Sequence, residues 1–172
     1  MLTARDAEPP RTEATADQAY QFEAAFREAS RSAFLLARQL GRGPEEARDV
    51  VQEAALRAWR YRAGRTGEFR PWFLTIVYRL CHRPMLDWLP LPAGWDRRLA
   101  APLESSVDPD LMAAMLALPA RQRAALWLRY CEDLAIIDVA RIMRLSESAA
   151  KQLLFRGREA LRRKLTTQPM EE

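Results

Sequence analysis

The sequence predicts an all-α fold of two small helical domains joined by an acidic, proline-rich linker, with a helix-turn-helix in the second domain. Three observations favour this class. Apolar residues recur at helical spacing along most of the chain, and nowhere do they alternate for long enough to make a sheet. Prolines and acidic residues cluster between two such stretches. A length of 172 residues allows one ordinary domain or two small ones.

The first domain is predicted to span residues 19–89, after a polar leader at residues 1–18 that shows no apolar periodicity and is expected to be flexible. An amphipathic helix begins near Tyr20 and ends at Gly41. Pro44 opens the next helix at a position where its missing N–H is harmless. A basic, glycine-containing loop then leads into an apolar and aromatic helix.

Residues 90–109 form the predicted linker, and residues 110–172 the second domain. Although the formal charge of the whole chain is only +4, residues 121–165 contain eleven basic and five acidic side chains. Within this basic part, a short apolar helix, the turn RLSE and a longer basic helix follow one another. This order is typical of a helix-turn-helix, in which the second helix enters the major groove of DNA. Ser146 is expected to cap that helix.

Two further groups of side chains suggest binding surfaces. Acidic and amide residues share one helical face with Arg57 in the segment 49–60, which either binds a helix of another protein or is simply solvated. Aromatic residues alternate with arginines in the segment 62–82, a pattern that suits unstacked single-stranded bases but is also typical of a core. We expect Phe73 and Ile76 to be buried.

Several classes of function are not indicated. The chain has no glycine-rich phosphate loop, and its single histidine, His82, lies in no cluster with metal-ligand spacing, so we expect neither an enzyme nor a cofactor or metal. Cys81 and Cys131 lie far apart and predict no disulfide framework. There is no long apolar run, so we expect a cytoplasmic protein without membrane insertion. We also expect the free protein to be a monomer.

Taken in order, these parts resemble a bacterial RNA polymerase sigma factor of the extracytoplasmic-function (ECF) class of the sigma-70 family, in its minimal two-domain form. The matching segments are PEEARDVVQEAALRAW at 44–59, FRPWFLTIVYRL at 69–80, LPARQRAALWLRYCEDLAIIDVARIMRLS at 118–146, and Lys151 with FRGREALRRKL towards the end. Each segment alone is a weak signal, whereas their combination in this order is specific.

The resemblance implies a transcription initiation factor with promoter DNA, core RNA polymerase and an anti-sigma protein as partners. The first domain would bind the β′ coiled coil of the polymerase and melt the minus-ten promoter element, and the second would read the minus-thirty-five element and rest on the β flap. The implied polymerase-binding residues are Asp49, Gln52, Glu53 and Arg57. The implied minus-ten residues are Arg62, Arg65, Arg70, Trp72, Tyr78, Arg79 and His82. The implied minus-thirty-five residues are Ser146, Glu147, Ser148, Lys151, Gln152, Arg156 and Arg158.

Two other functions remain open at this level. The chain departs from the family pattern at residues 79–84, where Arg79 stands at a position that is usually Asn and Pro84 interrupts the helix. This departure favours a sigma-like decoy or docking module that binds an anti-sigma protein or polymerase without productive initiation. A plain helix-turn-helix repressor is the third hypothesis, and such a protein would normally dimerise on a palindrome.

Overall fold

A computed structural model describes residues 11–65, 67–82 and 109–167. Within these ranges the chain forms seven α-helices and no strand, which confirms the predicted all-α class. A 3-10 turn, Arg62–Gly64, follows the second helix, and the fifth continues as a π-helical turn, Trp127–Cys131. The helices are α1 Arg11–Gln39, α2 Pro44–Tyr61, α3 Phe69–Cys81, α4 Pro109–Leu116, α5 Ala120–Leu126, α6 Ile136–Met143 and α7 Glu147–Thr167.

Helix α1 begins earlier than the sequence analysis expected. The sequence predicts a flexible leader up to residue 18, but α1 already starts at Arg11, so the prediction is wrong for residues 11–18. The segment lacks an apolar stripe, yet it holds no Gly or Pro, and five of its eight residues are the strong helix formers Ala, Arg, Glu and Gln. The side-chain amide of Gln21 also donates to the Asp17 carboxylate one turn earlier, at 2.8 Å.

The first domain is a three-helix unit in which α2 lies close to its neighbours because its inner face is built from small residues. Ala47, Ala54, Ala55 and Ala58 are fully buried there. Pro44 occupies the first turn of α2, as predicted, and the Glu46 carboxylate accepts from the backbone N–H of Gly43 at 3.0 Å. Rings from α1 and α3 meet edge to face, with 5.7 Å between the centroids of Phe26 and Phe73.

The second domain contains the predicted helix-turn-helix. Helix α6 ends at Met143 and is capped by Arg144, whose left-handed backbone (φ 55°) allows the Leu145 N–H to bond the Ala140 carbonyl at 2.9 Å. Ser146 then caps α7, since its hydroxyl accepts from the Ala149 N–H at 3.1 Å. Where α7 crosses α5, only glycine fits easily: a Cβ at Gly157 would lie 3.2 Å from Leu126 Cγ.

The two domains pack against each other, and their buried side chains form one continuous core cluster. Helix α6 packs on α3, and α5 packs on α1. The buried Arg123 guanidinium crosses the boundary: its Nε donates to the Gln39 carbonyl at 2.7 Å, and its Nη1 donates to two carbonyls of its own domain. The predicted linker, residues 90–109, lies outside the described residues except for Pro109, which begins α4.

Candidate functional site

The outward face of α7 collects exposed polar and basic side chains. Ser148, Lys151 and Gln152 lie on this face at helical spacing, and all three are exposed. Helix α6 packs against the opposite side of α7, where Ala150 and Leu154 are buried. The structure therefore places every predicted minus-thirty-five residue on the surface of the helix-turn-helix. These exposed residues are Ser146, Glu147, Ser148, Lys151, Gln152, Arg156 and Arg158.

Phe155 lies in the middle of this face and was missed by the sequence analysis. It is 58% exposed, one turn beyond Lys151 and three residues beyond Gln152. A helical-wheel projection of the segment would have found it, because positions 148, 151, 152 and 155 share the i, i+3, i+4, i+7 spacing of one face. Nearby, Arg158 donates to the Tyr130 hydroxyl at 3.2 Å, so its guanidinium is held towards the π-helical turn.

The predicted polymerase-binding residues lie together on the solvent side of α2. Asp49, Gln52, Glu53 and Arg57 are all partly exposed. Arg57 Nε donates to Glu53 at 2.5 Å across one helical turn, so these two side chains hold each other in place. The face therefore presents a fixed ion pair beside Asp49 and Gln52.

Negative charge is concentrated at the start of this face. Partial burial raises the pKa of Asp49, and repulsion from Glu45 and Glu46 raises it further. Glu45 and Glu46 lie in the first turn of α2, where the helix dipole favours negative charge, and Asp49 follows in the second turn. A partner with positive charge would relieve their mutual repulsion.

The predicted minus-ten residues divide into an accessible group and an engaged group. In the accessible group, the Arg62 guanidinium stacks 3.7 Å above the centre of the Trp59 ring and donates to the Trp59 carbonyl. Arg65 donates to the Gly67 carbonyl at 2.6 Å and lies 5.9 Å from the Phe69 ring. Trp72 is half-buried against Phe69.

The last turn of α3 completes the accessible group. Arg79 and His82 are both exposed. The His82 ring lies 4.2 Å from the Tyr78 ring, between centroids, and its Nδ1 is 2.8 Å from the Tyr78 carbonyl oxygen. The histidine therefore has an orienting partner, which its position in the sequence did not indicate.

Two of the predicted minus-ten residues, Tyr78 and Arg70, make contacts inside the protein. Tyr78 is only 4% exposed, because it follows Phe73, Leu74 and Val77 on the buried stripe of α3. Burial raises the pKa of Tyr78, although the nearby positive charge of Arg121 opposes this shift.

Arg70 also contacts the second domain. Its guanidinium reaches the Glu132 carboxylate at 3.5 Å and the Glu132 carbonyl at 3.3 Å. Glu132 itself is buried, whereas the Arg70 side chain is 45% exposed. Of the predicted minus-ten residues, Arg70 is thus bonded to the other domain, whereas Tyr78 is buried in the core.

The described parts of the chain offer little for a metal or a membrane. Residues 11–65, 67–82 and 109–167 contain no group of three or more His, Cys, Asp or Glu side chains that could hold a metal ion. In the same ranges no helix is both long and apolar enough to cross a bilayer.

Comparison with known proteins agrees with this geometry. The family model of sigma-70 region 2 matches residues 26–86, and that of sigma-70 region 4 matches residues 109–161. These matches cover α2, α3 and the second half of α1 in the first domain, and α4 to α6 with most of α7 in the second. Each predicted site residue falls inside one of the two matched ranges.

Individual relatives point the same way. The chain is 30% identical over 163 residues to the ECF RNA polymerase sigma factor SigM of Mycobacterium tuberculosis, covering 85% of this chain and 78% of that one. Its fold is similar to that of the sigma factor RpoE of Bartonella quintana, solved in complex with the anti-sigma factor NepR, with a TM-score of 0.66 at 19% identity, covering 87% and 99% of the two chains. The chain therefore belongs to the ECF class of the sigma-70 family, the factors that direct RNA polymerase to promoters.

Proposed function

We propose that the two domains divide promoter recognition between them, the first binding core polymerase and opening the minus-ten element and the second reading the minus-thirty-five element. The observation that carries this proposal is the capped helix-turn-helix, whose second helix has an exposed basic face. A helix presented in this way fits the major groove, and its side chains can reach base edges.

Lys151 and Arg156 are proposed to contact the minus-thirty-five duplex. Each phosphate contact releases bound counterions, so replacing either residue by Ala should reduce the slope of log affinity against log salt by about one unit. Arg27→Ala is the control, because that exposed arginine lies on α1 in the first domain. The measurement is fluorescence anisotropy of a labelled duplex over a salt series. An unchanged slope in both variants would remove these residues from the DNA surface.

Phe155 is proposed to pack against the methyl group of a thymine in the same element. An exposed apolar ring at the centre of a recognition helix suits that group, which is the apolar feature of the major groove. Replacing each thymine by uracil in turn removes only the methyl group and should weaken binding at one position. Phe155→Ala should abolish the difference between thymine and uracil at that position. A thymine preference that survives in the variant would contradict this assignment.

The minus-ten strand is proposed to be captured by the exposed or partly exposed residues of the set that the family resemblance implies, which are Arg62, Arg65, Arg70, Trp72, Arg79 and His82. Stacking of an unpaired base on an aromatic side chain contributes about 1–3 kcal/mol, which helps offset the cost of unpairing. Trp72→Ala should therefore slow promoter opening by the holoenzyme, and Tyr20→Ala, an exposed aromatic on α1, serves as the control. Permanganate footprinting of unpaired thymines measures the opening.

The α2 face is proposed to bind the β′ coiled coil of core polymerase. Its acids repel one another when free, so a basic partner would be bound favourably. The double variant Asp49→Lys and Glu53→Lys should lose core binding. Asp17→Lys with Glu28→Lys makes the same change in charge on exposed positions of α1 and should keep it. Equal losses in the two double variants would show that only total charge matters.

The remaining partners follow from the family. The exposed apolar side chains of Leu116 and Ile137 are candidates for the contact of the second domain with the β flap. We expect an anti-sigma protein as well, since the similar RpoE structure was solved with one. The decisive experiment is transcription with core polymerase on a genomic library, with and without this protein. New start sites that share two spaced upstream elements support the proposal, whereas core binding without new starts indicates a docking module.

A further inference from the structure

Arginine side chains from separate segments of the chain meet near the end of α3. Arg42, in the turn between α1 and α2, donates from Nη2 to the Cys81 carbonyl. One helical turn earlier on α3, Tyr78 lies beside the positive charge of Arg121, which belongs to α5. Arg42 and Arg121 therefore approach consecutive turns of the same helix, one from each domain.

Two further arginines lie next to this pair. Arg38 Nη1 donates to the Arg42 carbonyl at 2.7 Å. Arg123 Nε donates at 2.7 Å to the carbonyl of Gln39, the residue that follows Arg38. Burial lowers the pKa of the Arg123 guanidinium, and the charge of Arg38 lowers it further. Arg38, Arg42, Arg121 and Arg123 are called the arginine cluster below.

The arginine cluster differs from most arginines on the helices in having no acidic partner. Elsewhere, arginines pair with an acid three or four positions away, as do Arg27, Arg48, Arg57, Arg129, Arg141 and Arg162. In the part of the chain that the structure describes, no member of the cluster forms an ion pair. The repulsion among its charges is therefore not offset by carboxylates of the described residues.

Backbone groups compensate only part of this charge. The cluster bonds carbonyls at the ends of α1 and α3, and each helix end carries about half a negative charge. Four guanidinium groups therefore keep a net charge of roughly +3. Glu46, near Arg42 in the sequence, accepts instead from the Gly43 N–H.

We propose that the arginine cluster binds a small anion with several phosphate groups, an oligophosphate, and that this anion links the two domains. The planar guanidinium group donates two parallel bonds to a phosphate. Arg38 and Arg121 are exposed and Arg42 is half-buried, so all three can reach a ligand, whereas the buried Arg123 adds charge behind them. None of the four belongs to the surfaces proposed for DNA or polymerase.

An oligophosphate fits the cluster better than a nucleic acid does. Its charges lie on directly linked phosphate groups, whereas a nucleic acid strand spreads one charge per nucleotide along an extended backbone. The cluster is compact, because Arg38 bonds the backbone of Arg42 and both lie within one turn of α1 and its following loop. A compact set of guanidinium groups therefore favours a ligand of concentrated charge.

The test is isothermal titration calorimetry of the full chain with orthophosphate, pyrophosphate and tripolyphosphate. The variants are Arg42→Gln and Arg121→Gln, one in each domain. The matched controls are Arg27→Gln on α1 and Arg141→Gln on α6, which remove the same charge from exposed positions outside the cluster.

We expect one tripolyphosphate per chain and an affinity that rises with the number of phosphate groups. Each cluster variant should weaken binding about tenfold or more, because a hydrogen bond to a charged group contributes about 1.5–3 kcal/mol. Both controls should bind as the wild-type protein does. Absence of binding, or equal weakening in the controls, overturns the proposal. Weakening by Arg42→Gln alone would overturn the claim that the anion links the domains.

A second titration tests the nucleic acid alternative. A duplex of unrelated sequence is titrated into the same proteins. If Arg42→Gln and Arg121→Gln weaken duplex binding as much as tripolyphosphate binding, the cluster serves a phosphate backbone and the oligophosphate assignment is wrong. If duplex binding is the same in the variants and the controls, the assignment stands.

Thermal unfolding followed by circular dichroism supplies a measurement that is independent of the calorimeter. Tripolyphosphate at a hundredfold excess over its Kd should raise the Tm of the wild-type protein by about 5–10 °C. The rise should disappear in Arg121→Gln, whose exposed side chain can be changed without disturbing the core. The same scans without ligand show whether Arg42→Gln is folded. A rise of equal size in Arg121→Gln would contradict the proposal.

Discussion

Replacing Arg144 by Gly is expected to stabilise the protein, although it changes a residue in the turn of the helix-turn-helix. Arg144 has a left-handed backbone with φ 55°, where a Cβ crowds the following carbonyl. That conformation is required, because it lets the Leu145 N–H reach back to the Ala140 carbonyl and close the end of α6. Its exposed side chain can be removed without opening a cavity.

The magnitude follows from two opposing effects. A left-handed backbone costs an L-residue about 1–2 kcal/mol, which Gly avoids. Gly in turn adds about 0.4–1 kcal/mol of conformational entropy to the unfolded chain. The net gain in the free energy of unfolding is about 0.5–1 kcal/mol, which corresponds to a rise in Tm of about 1–4 °C for a chain of this size.

Two further variants separate the backbone effect from loss of the side chain. Arg144→Ala keeps the Cβ, so its stability should stay within about 0.5 kcal/mol of the wild-type protein. Asp133 is also left-handed, at φ 50°, but Asp tolerates this region better, so Asp133→Gly should gain less. Denaturant unfolding followed by circular dichroism measures all three. If Arg144→Gly is no more stable than Arg144→Ala, the backbone argument is refuted.

Other consequences of the structure can be measured directly. Burial raises the pKa of Cys81 to about 11, so at pH 8 a thiol reagent should modify only the exposed Cys131 in the native protein and both in denaturant. Because the pKa of the Cys81 thiol is raised in the folded protein, its contribution to stability is fully present below the ordinary pKa of 9.0 and should be lost as pH rises towards 11. A Cys81→Ala variant should lose that part of the pH dependence. Leu128→Ala, at a fully buried position, should cost about 2–5 kcal/mol, whereas Leu165→Ala on the surface should cost far less; equal costs would contradict the described core. Ser146→Ala should cost about 1 kcal/mol through loss of the α7 cap and Ser146→Asp should retain it, and a stable Ala variant would show that the cap is unimportant.

Much of the secondary structure was predictable because it depends on short-range signals. Pro44 begins α2 and the glycine at position 41, with φ 89°, follows the end of α1, both as expected from their backbone preferences. The helix-turn-helix was predictable for the same reason, since the cap at Ser146 and the apolar spacing of α6 lie within a few residues of each other. The start of α1 was not predictable, because residues 11–18 form a helix without an apolar face that would indicate it.

The candidate site was predictable in part. The exposed face of α7 follows from helical spacing, and the same spacing could have identified Phe155. Phe73 is buried as expected, whereas Ile76 is only partly so, because the packing of neighbouring helices decides how far a residue at the edge of an apolar stripe is covered. For Tyr78 the packing has the opposite effect: the resemblance implies that this residue contacts DNA, but it lies in the interior.

The sequence by itself determined the helices, their caps, the basic recognition face and the family, because these depend on residues a few positions apart or on ordered motifs. Only the tertiary structure decided which of the predicted site residues are buried or bonded to the other domain. Arg70 and Glu132 are 62 positions apart, and Arg123 and Gln39 are 84 apart. No local pattern encodes such pairs, because they form only when two separately folded surfaces meet. Which of the predicted minus-ten residues are buried or bonded across the boundary is therefore a property of the packed domains.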